Sequence, residues 1–363
     1  MKSGNETSKR FITAFFLGVA SLLLIIAATT YLVDPFFQYR IRDNQYILNP
    51  IYVNPGLTKN MDYNTVIIGS SMVQNYDLSI LRKDSLTQPL KLASGAMTIR
   101  EMKLLYSLVD KEKANTFILN LDMIQFNEWL PTSRYPEYLY KGRFLDKLQY
   151  LFAYESTIRF GLVDMALIPY MALTDIEDRP ERLKQKTNID AIGSFSLESI
   201  YNDEERIKRM YHEGRTVSRP YMFQINSRIK SNMDELLTQL DPENNQDKQF
   251  IFVLPPYSAL YWHITKRDGY FYHLINNIEH LCRVTDKYKN VRIQFFYNLE
   301  QITDLNRYSD VTHYDPATSN YILSNLHNDK YRITKENMNQ TLKEFDNRLI
   351  KYREDNTDWI VVQ

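Results

Sequence analysis

The chain has 363 residues, with 44 Lys plus Arg balanced by 44 Asp plus Glu, so its formal net charge is zero. That balance leaves no electrostatic footprint for nucleic acid. The single cysteine, Cys282, excludes an internal disulfide and any cysteine-built metal site.

Residues 1–10 are polar and carry Lys2, Lys9 and Arg10. Residues 11–33, FITAFFLGVASLLLIIAATTYLV, hold no charge and are long enough to cross a bilayer as a helix. The basic residues ahead of this run place the amino terminus in the cytoplasm and everything after Asp34 on the outer face. Ala27-Ala28-Thr29 is a poor cleavage site, so the run reads as an uncleaved plasma-membrane anchor. Residues 34–63 are rich in aromatics, Asn and Pro and read as an irregular juxtamembrane segment. Phe36, Phe37 and Tyr39 are expected at the bilayer interface, which favours rings with one wet edge.

From residue 64 to residue 363 the pattern is that of one large α/β domain. Thr65-Val66-Ile67-Ile68 is a β-branched apolar run that ends in Gly69-Ser70-Ser71, the pattern of a strand buried on both faces of a parallel sheet. Leu90 to Ala93 reads as a second strand ending in Ser94-Gly95, and Ile99 to Val109 has helical spacing. Thr116 to Leu121 reads as a third strand reaching Asp122, Phe250 to Leu254 as a fourth stopped by Pro255-Pro256, and Val291 to Phe296 as a fifth. A helix is expected over Phe271 to Tyr288, with Cys282 buried on it as an inert thiol. This alternation predicts a five-stranded parallel sheet with helices on both faces.

The gap of roughly 125 residues between strands three and four is too long for an ordinary crossover. Helical patterns occur in it near Phe144 to Phe152, Ile158 to Leu173 and Ile225 to Leu240, and the charged stretch Asp175 to Lys186 reads as a loop. Residues 124–248 are therefore expected to form a helical cap. Its apolar Ile158 to Leu173 stretch packs within the cap or rests on a membrane or a partner.

The carboxyl edge of an open α/β sheet is where ligands bind, and Ser71 is expected there. A serine hydroxyl needs a base to become a nucleophile, and histidine serves best when a carboxylate holds its other ring nitrogen. Asp310 and His313, three residues apart beyond the fifth strand, supply that pair on the same edge. Gly95, after the second strand, can bring a backbone N–H close to a developing oxyanion. The remaining histidines (His212, His263, His273, His280 and His327) are scattered, and His263 lies at the surface or lines the pocket. Neither a Walker-type Gly-rich loop nor a cluster of His ligands occurs, so no cofactor and no metal is expected.

Strand–Gly-x-Ser, Gly after strand two, a polar residue after strand three and a final Asp-x-x-His together resemble the four blocks of the SGNH (GDSL-like) hydrolase superfamily. The resemblance implies a flavodoxin-like fold with Ser71 as nucleophile, His313 as base and Asp310 as its orienting carboxylate. It puts Ser70 in place of the usual Asp and Gly95 on the second block's glycine. The third block usually reads Gly-x-Asn, and here Leu121-Asp122 stands there. A carboxylate repels an oxyanion, so Asp122 is expected to bind substrate or position a loop instead.

The anchored layout is similar to bacterial SGNH-like proteins that work with membrane-bound O-acyltransferases on cell-surface polymers, and Asp34-Pro35-Phe36-Phe37, Gly69-Ser70-Ser71-Met72 and Pro136-Glu137-Tyr138-Leu139-Tyr140 resemble uncharacterised bacterial members. Alginate O-acetylation proteins and the teichoic-acid D-alanylation protein are examples. What this implies is an O-acetyltransferase or esterase acting on a cell-surface polysaccharide through an acyl-enzyme. Its partners would be the polysaccharide, an acyl donor, the bilayer and a membrane-bound O-acyltransferase. The alternatives are a non-catalytic polysaccharide-binding scaffold in the same assembly and a membrane-tethered structural partner of the acyltransferase.

Overall fold

The computed structural model of the protein describes residues 3–41, 49–83, 86–122, 134–175, 190, 201–213 and 225–360. Residues 1–2 of the amino-terminal tail, 42–48 of the juxtamembrane segment, all but Asp175 of the charged loop, residue 123, and 124–133, 176–189, 191–200 and 214–224 of the expected cap lie outside the described residues. In chain order the elements are α1 (Ser3–Val33), α2 (Pro50–Asn60), β1 (Thr65–Gly69), β2 (Pro89–Ala93), α3 (Ile99–Leu108), β3 (Thr116–Asn120), α4 (Glu137–Tyr140), α5 (Phe144–Phe152) and α6 (Gly161–Leu173). After these come α7 (Glu204–His212), α8 (Ile225–Leu240), β4 (Gln249–Leu254), α9 (Ala259–Arg267), α10 (Phe271–Thr285), β5 (Val291–Phe295), α11 (Pro316–Ser324), β6 (Arg332–Ile333) and α12 (Met338–Asp355). Two compact units result, one of residues Met1–Asn60 with Tyr135–Ile189, the other of Met61–Arg134 with Asp190–Gln363.

The second unit carries the sheet, in the order β2-β1-β3-β4-β5-β6. Neighbours among β1 to β5 run parallel, whereas β6 pairs antiparallel with β5 through Ile293 and Ile333. The expectation of an all-parallel, five-stranded sheet is therefore corrected: the sheet is mixed and has six strands. The sixth is only Arg332-Ile333, too short to show any periodicity in the sequence.

Every residue of β1 and β2 is buried, so both faces of the sheet are covered there. The register puts Leu90, Val66, Phe117, Phe250 and Val291 in one row. On that face Phe117 stacks on Phe250 at 5.5 Å and meets Tyr106 of α3 at 5.1 Å. Side chains alternate along a strand, so Lys91 points to the other face, where its ammonium donates to the Gln74 carbonyl at 2.6 Å. α8, the last helix of the expected cap, lies along α3: Gln239 donates to the Lys103 carbonyl at 2.9 Å, and Lys103 pairs with Glu235.

β2 lies on one side of β1 and β3 on the other. Successive connections thus diverge between β1 and β3, and a crevice forms at their carboxyl ends. Gly69 closes β1 because nothing larger fits: a Cβ there would stand 2.7 Å from Val73 Cγ1 and 2.8 Å from Asn120 Cβ.

The first unit is built around the end of α1, whose Ser8–Val33 portion is long and apolar enough to cross a membrane. Asp34 follows with φ 46. Its buried carboxylate accepts the backbone N–H groups of Gln38, Tyr39 and Arg40 at 2.8, 2.9 and 3.0 Å, and the Tyr150 hydroxyl at 2.8 Å. Phe36 and Phe37 are buried in this unit instead of facing lipid. The Phe36 ring meets Tyr52 at 4.9 Å and Phe160 at 5.4 Å. Gly56 of α2 passes so near that a Cβ would stand 2.2 Å from the Phe36 carbonyl oxygen.

Candidate active site

Ser71 starts a single 3-10 turn, Ser71–Val73, directly beyond β1. Ser70 caps the turn by accepting the Met72 N–H at 3.2 Å. The buried Tyr314 hydroxyl donates to the Met72 carbonyl at 2.9 Å. Lys91 holds the Gln74 carbonyl from the sheet beneath, and burial pushes its ammonium pKa down to about 8. Ser71 thus sits on a backbone fastened at three successive points.

Asp310 and His313 lie on the loop between β5 and α11. An antiparallel bridge from Tyr308 to Tyr314 closes the loop, and the Ser309 N–H donates to the His313 carbonyl at 2.9 Å. The chain leaving β4 clamps it as well: Ser258 Oγ donates to the Val311 carbonyl at 2.7 Å, and the Tyr308 hydroxyl donates to the Pro256 carbonyl at 2.9 Å.

These two fastened segments meet. Ser71 Oγ stands 2.7 Å from His313 Nε2, and His313 Nδ1 stands 2.6 Å from Asp310 Oδ2. The second contact assigns the ring proton to Nδ1, which leaves Nε2 to accept the serine proton. The other carboxylate oxygen of Asp310 accepts the N–H groups of Thr312 and His313, both at 2.8 Å, and the Thr312 hydroxyl at 2.9 Å. Burial alone would raise the Asp310 pKa, but the hydrogen bonds and charge of His313 and the backbone donors outweigh it and hold the carboxyl well below the usual carboxylate range. For His313, burial disfavours the imidazolium, yet the hydrogen bond and charge of Asp310, with the more distant charge of Asp122, raise its pKa above the ordinary 6.5.

Asp122, just past β3, is buried under two hydroxyls. Ser70 Oγ donates to Oδ2 at 3.3 Å, and the Tyr257 hydroxyl donates to Oδ1. A carboxylate so engaged is an acceptor and a source of negative potential. Gly95 is exposed, with open space where a side chain would go. Its loop is clamped by Arg134, which donates to the Gly95 carbonyl at 2.8 Å and pairs with the buried Glu101.

Beside Ser71 and His313 opens a pocket of about 280 Å³, whose wall includes Asn75, Tyr201, Arg206, Met210 and Ser309. It falls just below the usual range for ligand sites, about 300–1,000 Å³. Asn75 donates to the Tyr201 hydroxyl at 3.3 Å, and the Arg206 guanidinium donates to the Ser309 carbonyl. Ser70, Gly95 and Asp122 do not line this pocket, and neither does His263, which packs near Tyr211 at 6.4 Å between ring centroids.

The sequence therefore led to the three hydrogen-bonded residues and to Ser70 and Asp122 beside them, but not to Tyr257, Tyr201, Arg206 or Arg134. Tyr257 had one signal: it follows Pro255-Pro256 at the carboxyl end of β4, on the edge where Ser71 lies. Nothing beside Asn120 in the sequence marks it. Its amide is buried against Gly69 with no hydrogen-bond partner among the described residues. Among the described residues, no three His, Cys, Asp or Glu side chains are grouped to hold a metal. No protein-family model matches the chain, and no curated protein matches it.

Proposed function

We propose that the protein is a membrane-anchored serine acyltransferase or esterase of the SGNH type, acting on O-acyl groups of a cell-surface polysaccharide. One observation carries the reading: the continuous Ser71–His313–Asp310 hydrogen-bond chain at the carboxyl edge of a doubly wound sheet. The order of the first five strands, 2-1-3-4-5, is the flavodoxin-like order that the SGNH resemblance implies.

In the first half-reaction Ser71 Oγ attacks the carbonyl carbon of an ester, acetyl in the simplest case, while its proton passes to His313 Nε2. The imidazolium is stabilised by Asp310. Collapse of the tetrahedral oxyanion expels the donor's alkoxide oxygen, which takes the proton from His313 and leaves an acyl-Ser71 ester. In the second half-reaction His313 removes a proton from a sugar hydroxyl or from water, and that oxygen displaces Ser71. Transfer to the sugar gives an O-acylated polymer, and transfer to water gives hydrolysis. The amide, phenol and guanidinium of Asn75, Tyr201 and Arg206 offer hydrogen bonds suited to a sugar. Ser8–Val33 serves as the anchor, with the amino terminus in the cytoplasm and the sheet-bearing unit on the outer side.

The test is intact-mass spectrometry of the full chain in detergent after incubation with 4-nitrophenyl acetate, comparing wild type, Ser71→Ala and His313→Ala. A single acetyl adduct that requires both residues is the expected result. A folded protein with neither adduct nor ester turnover would overturn the reading. It would favour a polysaccharide-binding scaffold that partners a membrane-bound O-acyltransferase.

A further inference from the structure

One surface of the first unit has its polarity reversed. The covered side chains of α5 are polar: Asp146 lies beneath Arg143, paired at 2.8 Å, and Tyr150 is bonded to Asp34. Of its six uncovered side chains four are apolar, Phe144 and Leu145 at 73% and 72% exposed with Leu148 and Phe152, and two, Lys147 and Gln149, are polar. A helix on a watery surface shows the opposite pattern.

α6 continues the theme. Its sequence, GLVDMALIPYMAL, has one charged residue, and Leu162 and Leu173 stand 54% and 86% exposed. Thirteen residues make about 20 Å of helix, short of the ~30 Å hydrocarbon core. An apolar helix of that length is either a buried core helix or an interfacial or re-entrant one, and these exposed side chains exclude the first.

The location within the first unit supplies the occupant. Tyr150 of α5 and Phe160, at the head of α6, lie 6.0 and 5.4 Å from the Phe36 ring. Phe36 is three residues past Val33, where the apolar run of α1 ends and a membrane-crossing chain reaches the headgroups. α5 and α6 also lie against α1 itself. Lys141, Arg143, Lys147 and Arg159 are exposed in the same stretch of chain, Lys141 paired with Glu137 and Arg143 with Asp146, and cations of this kind are attracted to anionic lipid headgroups. Large side chains exposed together in this way, Phe144, Leu145, Phe152, Leu162 and Leu173, mark an interaction or membrane surface.

We propose that α5 and α6 form a platform bedded in the headgroup–acyl boundary of the leaflet that α1 leaves at Val33. The protein is then seated on the bilayer through three helices. This rests on the reading of α1 as an anchor, and the experiment separates the two. Full-length chain carrying Cys282→Ser and one of Leu145→Cys, Leu162→Cys, Leu173→Cys, Leu23→Cys or Leu86→Cys is labelled with bimane. Each variant is reconstituted into phosphatidylcholine–phosphatidylglycerol vesicles.

Nitroxide on the lipid acyl chains should quench labels at 145, 162, 173 and 23 by about twofold or more, with little effect from aqueous iodide. Leu86, 78% exposed on the sheet-bearing unit, should show the reverse. Iodide quenching at 145, 162 and 173 would overturn the platform, because those positions would face water. Protection from both quenchers would overturn it too, because a second copy or another protein would be the cover. Lipid quenching at 23 without it at the other three removes the platform and leaves the anchor, whereas loss at 23 as well removes both.

Discussion

Ser70 and Asp122 face each other across the β1–β3 crevice, hydroxyl to carboxylate at 3.3 Å, and the same carboxylate takes the Tyr257 hydroxyl. Asp122 therefore joins the turn that bears Ser71 to the chain leaving β4, and its charge helps to raise the His313 pKa. Asp122→Asn keeps one acceptor oxygen, turns the other into an amide donor and removes the charge. The acid limb of the pH–rate profile with 4-nitrophenyl acetate should move to lower pH, toward 6.5, with the fold retained. An unmoved limb would mean that Asp122 does not act on His313.

In the wild type the base must be neutral, and the imidazolium is held above its ordinary pKa. kcat/KM should rise with pH and reach half its plateau above pH 6.5. Stability runs the other way. The His313–Asp310 pair contributes fully below the unfolded histidine pKa, and the histidine share is lost as pH rises through the raised value. Paired urea titrations of wild type and His313→Gln, at pH 6 and pH 9, should show a difference that shrinks at the higher pH.

Ser71, His313 and Asp310 form one hydrogen-bonded chain, so their removal should not be additive. Ser71→Ala and His313→Ala should each lower ester turnover by at least about a thousandfold, and the double variant should fall no further. A double variant much worse than either single one would show that the residues act separately.

Gly69→Ala tests how the nucleophile turn is supported. The added methyl would press on Val73 Cγ1 and Asn120 Cβ, both closer than 3 Å. Overpacking of this kind costs about 1–3 kcal/mol, readable by chemical denaturation. Acylation of Ser71 should slow beyond what the stability loss explains, because the strand end that carries it must shift.

The sheet was readable where local pattern was strong. Thr65 to Gly69 is apolar, β-branched and closed by glycine, and β4 and β5 carry the same kind of signal. β6 was not, since two residues have no period. The Ser71, His313 and Asp310 positions could be read because strand ends in such a sheet converge on one edge and each residue follows a strand. Tyr257, Tyr201 and Arg134 act through contacts with residues distant in the chain, and nothing beside them in sequence marks this. Phe36 and Phe37 show the converse error. Aromatic residues after an apolar helix suggest an interface, but Tyr52, Tyr150 and Phe160 cover the Phe36 ring.

Ser71 and His313 are 242 residues apart in the chain. At a ribosomal pace of about 5–20 residues per second, the serine emerges roughly 12–50 s before the imidazole that is to activate it. Throughout that interval the nascent protein carries an ordinary, unreactive hydroxyl. On the proposed mechanism, any product cut short ahead of His313 stays inert, however well β1 has formed. On that mechanism, reactivity is thereby tied to synthesis past His313, and a copy cut off before it is no hazard to the esters around it.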